Sequence, residues 1–218
     1  MVRSRCGRNL VVAGFAGAVL LVVAACSGGG SEMPGLTASP SVTESTTPSP
    51  SPTSSAEPTE LPEELGVVFD LSDPELGIVF EDVPTGLTGD AADVHNAIAL
   101  FTREVWRSVV THVVSPVIYE MASAEVIGAL EADAETNEAT GSIFGGVHRA
   151  TITDIRVDGD TATGSVCRDY RDGTFANAEA EYTPDEAGFG EPRLYTHTLV
   201  NLGGGVWRVQ STERAGTC

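Results

Sequence analysis

Lysine is absent from this chain of 218 residues, so all 12 basic side chains are arginines, and 31 carboxylates outnumber them. The formal net charge is −19 at pH 7. Nucleic-acid binding depends on clustered positive charge that neutralises phosphates, so this balance argues against a nucleic-acid partner. For the same reason, electrostatic attraction to anionic lipid is not expected to hold the protein on a membrane.

The common catalytic and cofactor motifs are missing as well. The chain has no glycine-rich phosphate loop, no nucleophile elbow and no His-Glu-x-x-His zinc motif. Asp158 and Asp160 resemble the start of a calcium loop, but the later ligands and the closing glutamate are lacking, so the segment indicates a hairpin turn. The sequence therefore predicts no metal and no cofactor.

The N-terminus is typical of a secretory signal. Arg3, Arg5 and Arg8 precede an apolar segment, residues 10–25, which ends in two alanines directly before Cys26. This ending resembles the bacterial lipoprotein signal, which implies cleavage before Cys26, diacylation of its thiol and palmitate attachment. Two acyl chains give stable membrane attachment where a single chain does not.

Two alternatives to a lipoprotein signal remain open. The segment is an uncleaved anchor in one, although its 16 residues fall short of the about 20 that span a bilayer. In the other it is an ordinary secretory signal in which Cys26 has no role. Cleavage after residue 25 removes three arginines and no acid, which lowers the net charge from −19 to −22.

The four cysteines have different expected fates. Cys6 leaves with the signal and Cys26 carries lipid, which leaves Cys167 and Cys218 as a pair. Outside the cytoplasm such a pair is usually a disulfide, worth about 4 kcal/mol in the chain-entropy model. Two buried free thiols are an alternative, and a metal site is disfavoured because no histidine lies at ligand spacing.

Composition divides the mature chain in two. Residues 26–64 are rich in proline, serine and threonine and poor in apolar residues, which predicts a disordered tether beginning at the lipidated cysteine. Residues 65–218 are long enough for one domain with a well-buried core.

The domain is predicted to open with two short strands or extended segments, residues 65–69 and 76–80. A helix is predicted next, because apolar residues three or four positions apart form one of its faces: Val94, Ile98, Phe101, Val105 and Val109. A second helix is predicted over about 116–138. The period then changes to two, which predicts an antiparallel meander with turns at 158–160, 172–173 and 203–205. The predicted strands are 147–157, 161–169, 175–182, 193–202 and 206–212. This order predicts an α+β fold in which N-terminal helices pack on a strongly curved antiparallel sheet.

Several structural motifs carry a resemblance to a known family. They include a Pro-Thr-Gly-Leu-Thr-Gly segment at 84–89, Ile-Phe-Gly-Gly at 143–146, Val-Cys-Arg-Asp at 166–169, and Val-Trp-Arg-Val at 206–209 before the final cysteine. Residues 76–218 resemble secreted or lipid-anchored actinobacterial proteins with a nuclear-transport-factor-2-like (NTF2-like) domain. The resemblance implies a cone with an apolar pocket, but no particular reaction, because this fold serves enzymes and binding proteins alike.

In enzymes of this family a carboxylate or histidine inside the cone moves a proton. The candidate proton carriers here are Asp154, Asp169, His148, His197, Tyr119 and Tyr195. None lies in a motif specific to an enzyme. Asp154 interrupts an apolar strand, and a solvated position is favoured for it over a catalytic one. His148 and His197 fall on strands that could be neighbours, but a surface or core position is favoured for each over a catalytic pair. Trp207 is expected in the core, and Trp106 in the core or at the pocket mouth. The possible pocket residues are Trp106, Asp154, Tyr195 and His197.

Three functions are compatible with this sequence. The first is a non-catalytic module on the outer face of the cytoplasmic membrane that binds an apolar small molecule or an envelope protein. The second is a small extracytoplasmic isomerase or dehydratase, and the third is a structural accessory protein without a ligand. The first is favoured, because a binding module needs only a pocket and no positioned acid or base is evident.

Lipid attachment at Cys26 is directly testable. We expect radiolabelled palmitate to enter the wild-type protein and not a Cys26→Ala variant, because the acyl chains are attached through that residue. Membrane fractionation should recover less of the variant than of the wild type. Equal membrane attachment of the two proteins would contradict the lipoprotein assignment.

Overall fold

The computed structural model describes residues 65–218, and the predictions made for residues 1–64, including lipidation of Cys26, lie outside the described residues. The helices of the described part are α1 (Asp90–Thr111), α2 (Pro116–Met121) and α3 (Ala124–Thr140). Its strands are β1 (Ile78–Glu81), β2 (Ile143–Asp158), β3 (Thr161–Ala176), β4 (Glu181–Tyr182), β5 (Arg193–Asn201) and β6 (Trp207–Thr217). The predicted α+β class is confirmed: the helices pack against a curled, mainly antiparallel sheet.

The sheet has the order β1-β2-β3-β5-β6, and β4 adds to β3. The strands from β2 onward pair antiparallel, whereas β1 pairs parallel with β2 and makes the sheet mixed, which the sequence analysis did not predict. The register of β2 against β3 shifts near residues 147–149 and again at 153–156. Such bulges bend and twist a strand, so the sheet curls toward the helices.

Helix α1 confirms the predicted apolar face. Val94, Ile98, Phe101 and Val105 are all buried, and Val109 packs against the same core. These residues recur every three or four positions, so they lie on the side of the helix that covers the sheet.

The first predicted extended segment, residues 65–69, is not a strand. Val67 forms only an isolated bridge with Thr88, and Asn96 of α1 binds the segment through its side chain. The Asn96 amide donates to the Val67 carbonyl at 2.6 Å and accepts from the Phe69 N–H at 3.0 Å. Backbone groups satisfied by a side chain are not available for a sheet ladder.

The prediction of one helix over residues 116–138 was wrong, because the chain is extended at Ala122 and Ser123 between α2 and α3. The Ser123 N–H donates to the Val209 carbonyl of β6 at 2.8 Å, and its hydroxyl donates to the Gln210 carbonyl at 2.9 Å. The same hydroxyl accepts from the Val126 N–H at 3.3 Å and caps α3. Docking onto the sheet edge therefore interrupts the helix.

The turn predicted at Asp172-Gly173 was also wrong, since β3 continues through both residues to Ala176. Gly173 lies opposite Gly146 of β2, where a side chain on Gly146 would meet the Asp172 carbonyl oxygen at 2.5 Å. These glycines allow two backbones to approach closely instead of marking a turn. The chain reverses at Asn177, whose side chain accepts from two backbone N–H groups.

Cys167 and Cys218 form a disulfide, with their Cα atoms 6.0 Å apart. Cys167 lies on β3 and Cys218 follows the end of β6, so the bond crosses β5, the strand between them. The crosslink therefore fastens the C-terminus to the centre of the sheet.

Removing this crosslink should lower stability. We expect the double variant Cys167→Ser, Cys218→Ser to have a free energy of unfolding about 2–4 kcal/mol below that of the wild type, since the unfolded chain gains entropy. Denaturant titration measures the difference, and wild-type protein reduced with dithiothreitol is the control that should match the variant. Equal stability of oxidised and reduced wild type would contradict the structural role of the bond.

Candidate functional site

A cavity of about 520 Å³ lies between the helices and the concave face of the sheet. Helices α1 and α3 form one side, and inward-facing residues of β3, β5 and β6 form the other. Its size is within the range of about 300–1,000 Å³ that is usual for small-molecule sites. The cavity is the principal candidate for function.

Aromatic side chains form much of its wall. Phe175 and Phe189 stack with ring centroids 4.7 Å apart, and Tyr170 meets Phe189 at 5.2 Å. Trp106 of α1 lies 5.8 Å from the Tyr170 ring and donates its Nε1–H to the Leu76 carbonyl at 3.0 Å. These mutual contacts hold the wall in place, so the cavity has a fixed apolar shape.

Two arginines also border the cavity. Arg168 of β3 and Arg193 of β5 are directly opposite each other across the strand pair. The Arg168 guanidinium lies 4.6 Å from the Tyr195 ring centroid, and that of Arg193 lies 4.0 Å from the Phe189 centroid. Two cations stacked on aromatic rings are therefore part of the cavity wall.

Two buried histidines lie behind this wall. His148 of β2 stacks on Tyr170 at 4.4 Å, and neither ring nitrogen has a hydrogen-bond partner. His197 of β5 shares a 2.9 Å hydrogen bond with Thr212. Burial, reinforced by the charge of Arg168, lowers the pKa of each histidine to about 3. Both imidazoles are thus neutral at physiological pH.

The idea that these two histidines lie on neighbouring strands was wrong. Strand β3 separates β2 from β5, and His197 lies opposite Gly164 of β3. His148 contacts Trp106 and Tyr170, whereas His197 packs edge-on against Phe101. The structure therefore does not bring the two imidazoles together as a pair.

Of the four possible pocket residues, Trp106 and Tyr195 line the cavity. His197 is buried beneath the wall, next to the lining residues Phe101 and Thr212. Asp154 does not line the cavity: it is exposed on the second bulge of β2, with a φ of 54°. The bulge turns this carboxylate to solvent. Asp154 is therefore a solvated side chain and not a pocket residue.

The remaining proton-carrier candidates also lie outside the cavity lining. Asp169 pairs with Arg171 at 2.6 Å, and this hydrogen-bonded guanidinium lowers the pKa of the carboxyl group. Tyr119 is exposed on α2 and donates to Glu131 at 2.8 Å, a bond that raises the pKa of its phenol. Both residues make surface interactions.

One buried carboxylate was missed by the sequence analysis. Glu104 of α1 is only 2% exposed and accepts hydrogen bonds from Arg103 at 3.0 Å, Arg107 at 3.1 Å and Ser115 at 2.6 Å. It is not among the cavity-lining residues. With three donors, its role is to join the end of α1 to the start of α2.

A second, smaller cavity of about 300 Å³ lies on the other side of α1, near the start of the described chain. Trp207 lines it and is buried, as predicted for a core residue, although its Nε1–H has no partner. Leu65 and Val206 form its exposed apolar border.

No family model matches this chain, and a search of curated proteins found no match. Among residues 65–218, no three His, Cys, Asp or Glu side chains cluster so as to hold a metal ion. No helix in the same range is long and apolar enough to cross a membrane.

The two cavity arginines were also missed as candidates. Arg168 alternates with Val166 and Tyr170 along β3, and all three are buried. A single arginine at an inward position of a strand was the available signal, because strand alternation places it on the face that forms the core.

The buried histidines predict an acid-sensitive fold. Their pKa lies at about 3 in the folded protein against 6.5 for a free side chain, so the unfolded chain binds protons first. Stability is therefore full above pH 6.5 and decreases as the pH falls toward 3. Between pH 7.5 and pH 5 each histidine should reduce the free energy of unfolding by about 2 kcal/mol.

Denaturant titration at the two pH values measures this loss. His148→Leu should remove the contribution of that one histidine, about 2 kcal/mol, because its imidazole makes no hydrogen bond within residues 65–218 that the variant would lose. An unchanged pH dependence in this variant would show that His148 is not buried as a neutral group.

Proposed function

We propose that this protein is a lipid-anchored extracytoplasmic lipoprotein with an NTF2-like domain that binds a small molecule with an apolar body. In this proposal Cys26 holds the chain on the outer face of the cytoplasmic membrane, and residues 27–64 space the domain from the lipid. The domain presents its cavity to the envelope and performs no chemical step.

The observation that carries the proposal is the 520 Å³ cavity with its aromatic wall. A filled core would have favoured a structural accessory protein. Fixed aromatic side chains around such a volume bury the apolar surface of a ligand without first having to be ordered, and this pre-organisation favours affinity.

Binding is preferred to catalysis because the residues that line the cavity include no histidine and no buried carboxylate. The three carboxylates that border the cavity, Glu125, Asp133 and Glu213, are exposed. Burial raises the pKa of the Tyr170 phenol, which therefore stays protonated. Enzymes usually tune a general acid or base by burial, and the three exposed carboxylates are not buried.

Three further features agree with the proposal. Helices over a curled sheet, with a cavity between them, are the arrangement expected of an NTF2-like cone. The Cys167–Cys218 disulfide suits an oxidising location outside the cytoplasm. The segment before Cys26, which resembles a lipoprotein signal, provides the means of attachment to the membrane.

Cavity binding is testable with a neutral aromatic probe, 2-(1-naphthyl)ethanol, titrated into the full chain in lipid nanodiscs. We expect calorimetry to give a stoichiometry of one, after subtraction of protein-free nanodiscs. Ala129→Trp, on the cavity side of α3, should weaken binding at least about tenfold by filling the site.

Ala132→Trp is the matched control, because Ala132 is exposed on the same helix and does not line the cavity. Its affinity should equal that of the wild type. The proposal fails if the wild type does not bind the neutral probe, or if both tryptophan variants weaken binding equally.

A further inference from the structure

Arg168 is a buried cation without a counter-ion. Only 6% of its surface is exposed, and it forms no ion pair with any carboxylate of residues 65–218. Its Nε and Nη2 groups are buried and have no hydrogen-bond partner in the described part of the chain. An isolated buried charge is strongly unfavourable, so its presence on the cavity wall requires an explanation.

Arg193 makes the arrangement less favourable still. It lies directly opposite Arg168 on the adjacent strand, and like charges in that position repel. One Nη2–H of Arg193 donates to the Gly188 carbonyl at 2.6 Å, but its Nε is buried without a partner. Two positive charges therefore converge on one wall of the cavity.

The stacking of each guanidinium on an aromatic ring leaves its edges for hydrogen bonding. Arg168 lies over Tyr195 and Arg193 over Phe189, which occupies a face of each guanidinium plane. The Nε and Nη2 groups of Arg168 are adjacent on one edge and match the two oxygens of a carboxylate. Both groups are buried in the free protein, so binding of a carboxylate here requires the guanidinium to rotate toward the cavity.

The acidic residues at the border restrict the charge of the ligand. Glu125, Asp133 and Glu213 are exposed on the same cavity, and none pairs with either arginine. Together with the net charge of −19, they repel polyvalent anions such as nucleotides. A ligand with one negative charge and an apolar body is repelled least by the acidic border, and it still pairs with the arginines and packs on the aromatic wall.

We propose that the cavity selects a monocarboxylic acid with an apolar, ring-sized body. Its carboxylate lies against Arg168 and Arg193, and its body lies against Trp106, Tyr170, Phe175 and Phe189. This inference rests on the proposed function and adds to it the chemical class of the ligand.

Three probes with the same ring system test the assignment: 1-naphthylacetate, 1-naphthyl phosphate and the neutral 2-(1-naphthyl)ethanol. Each is titrated calorimetrically into the full chain in nanodiscs. We expect the wild type to bind the carboxylate about 10- to 100-fold more tightly than the alcohol, the range expected of a charge-assisted hydrogen bond. The phosphate, with its second charge, should bind more weakly than the carboxylate.

Arg168→Met should reduce the preference for the carboxylate to what Arg193 alone provides, while the affinity for the alcohol is retained, because the variant removes one charge and keeps the volume. Arg168→Lys should give an intermediate preference, since it keeps the charge and loses the paired donors. Arg171→Met is the matched control, because Arg171 is an exposed arginine on the same strand that does not line the cavity. It should bind all three probes as the wild type does.

The outcomes separate the two proposals. Failure of the wild type to bind the alcohol overturns the proposed function and this inference with it. Binding of the alcohol without any preference for the carboxylate overturns this inference alone. Tighter binding of the phosphate overturns the carboxylate assignment, and a preference that is undiminished in Arg168→Met overturns the role of Arg168. If the methionine variant does not fold, the lysine variant tests the same point: a carboxylate preference equal to that of the wild type overturns the role of Arg168.

Discussion

The alternation of side chains along β3 is the constraint on which the rest of the structure depends. This strand pairs with β2, β4 and β5, so every second residue faces the helices and the others face outward. Val166, Arg168 and Tyr170 point inward and supply core, charge and cavity wall in succession. Cys167, between them, is on the opposite face and carries the disulfide. A shift of one residue in register would exchange all of these roles.

Most of the fold could be predicted because its signals are local and periodic. The apolar face of α1 and the change to a period of two after Gly141 identified the α+β class and the order of its main elements. The errors occurred where distant backbone decided the outcome. Ser123 leaves the helix to bond to Val209 and Gln210, and residues 65–69 bind the side chain of Asn96 in place of a strand. Periodicity carries no information about such contacts between remote residues.

The candidate site was less predictable, for a physical reason. A search for function in sequence favours groups with useful acid–base chemistry, and that approach singled out Asp154, Asp169, His148 and His197. Burial lowers the pKa of both histidines to about 3, and the two aspartates are turned to the surface. The informative residue was an arginine, which is usually dismissed as a surface charge. Its significance depends on burial and on the lack of a nearby carboxylate within residues 65–218, and neither property can be read from spacing.

The disulfide lies next to the arginine pair and counteracts the repulsion between the two guanidinium groups. Opposed arginines weaken the pairing of β3 with β5 at the place where Arg168 meets Arg193. Cys167 directly precedes Arg168, and Cys218 follows Thr217, the β6 partner of Arg193. The crosslink thus joins the strands on either side of β5 next to the repulsive pair and keeps the two guanidinium groups in register. A wall that holds unpaired charge destabilises the free protein, and the covalent bond behind it offsets part of that cost.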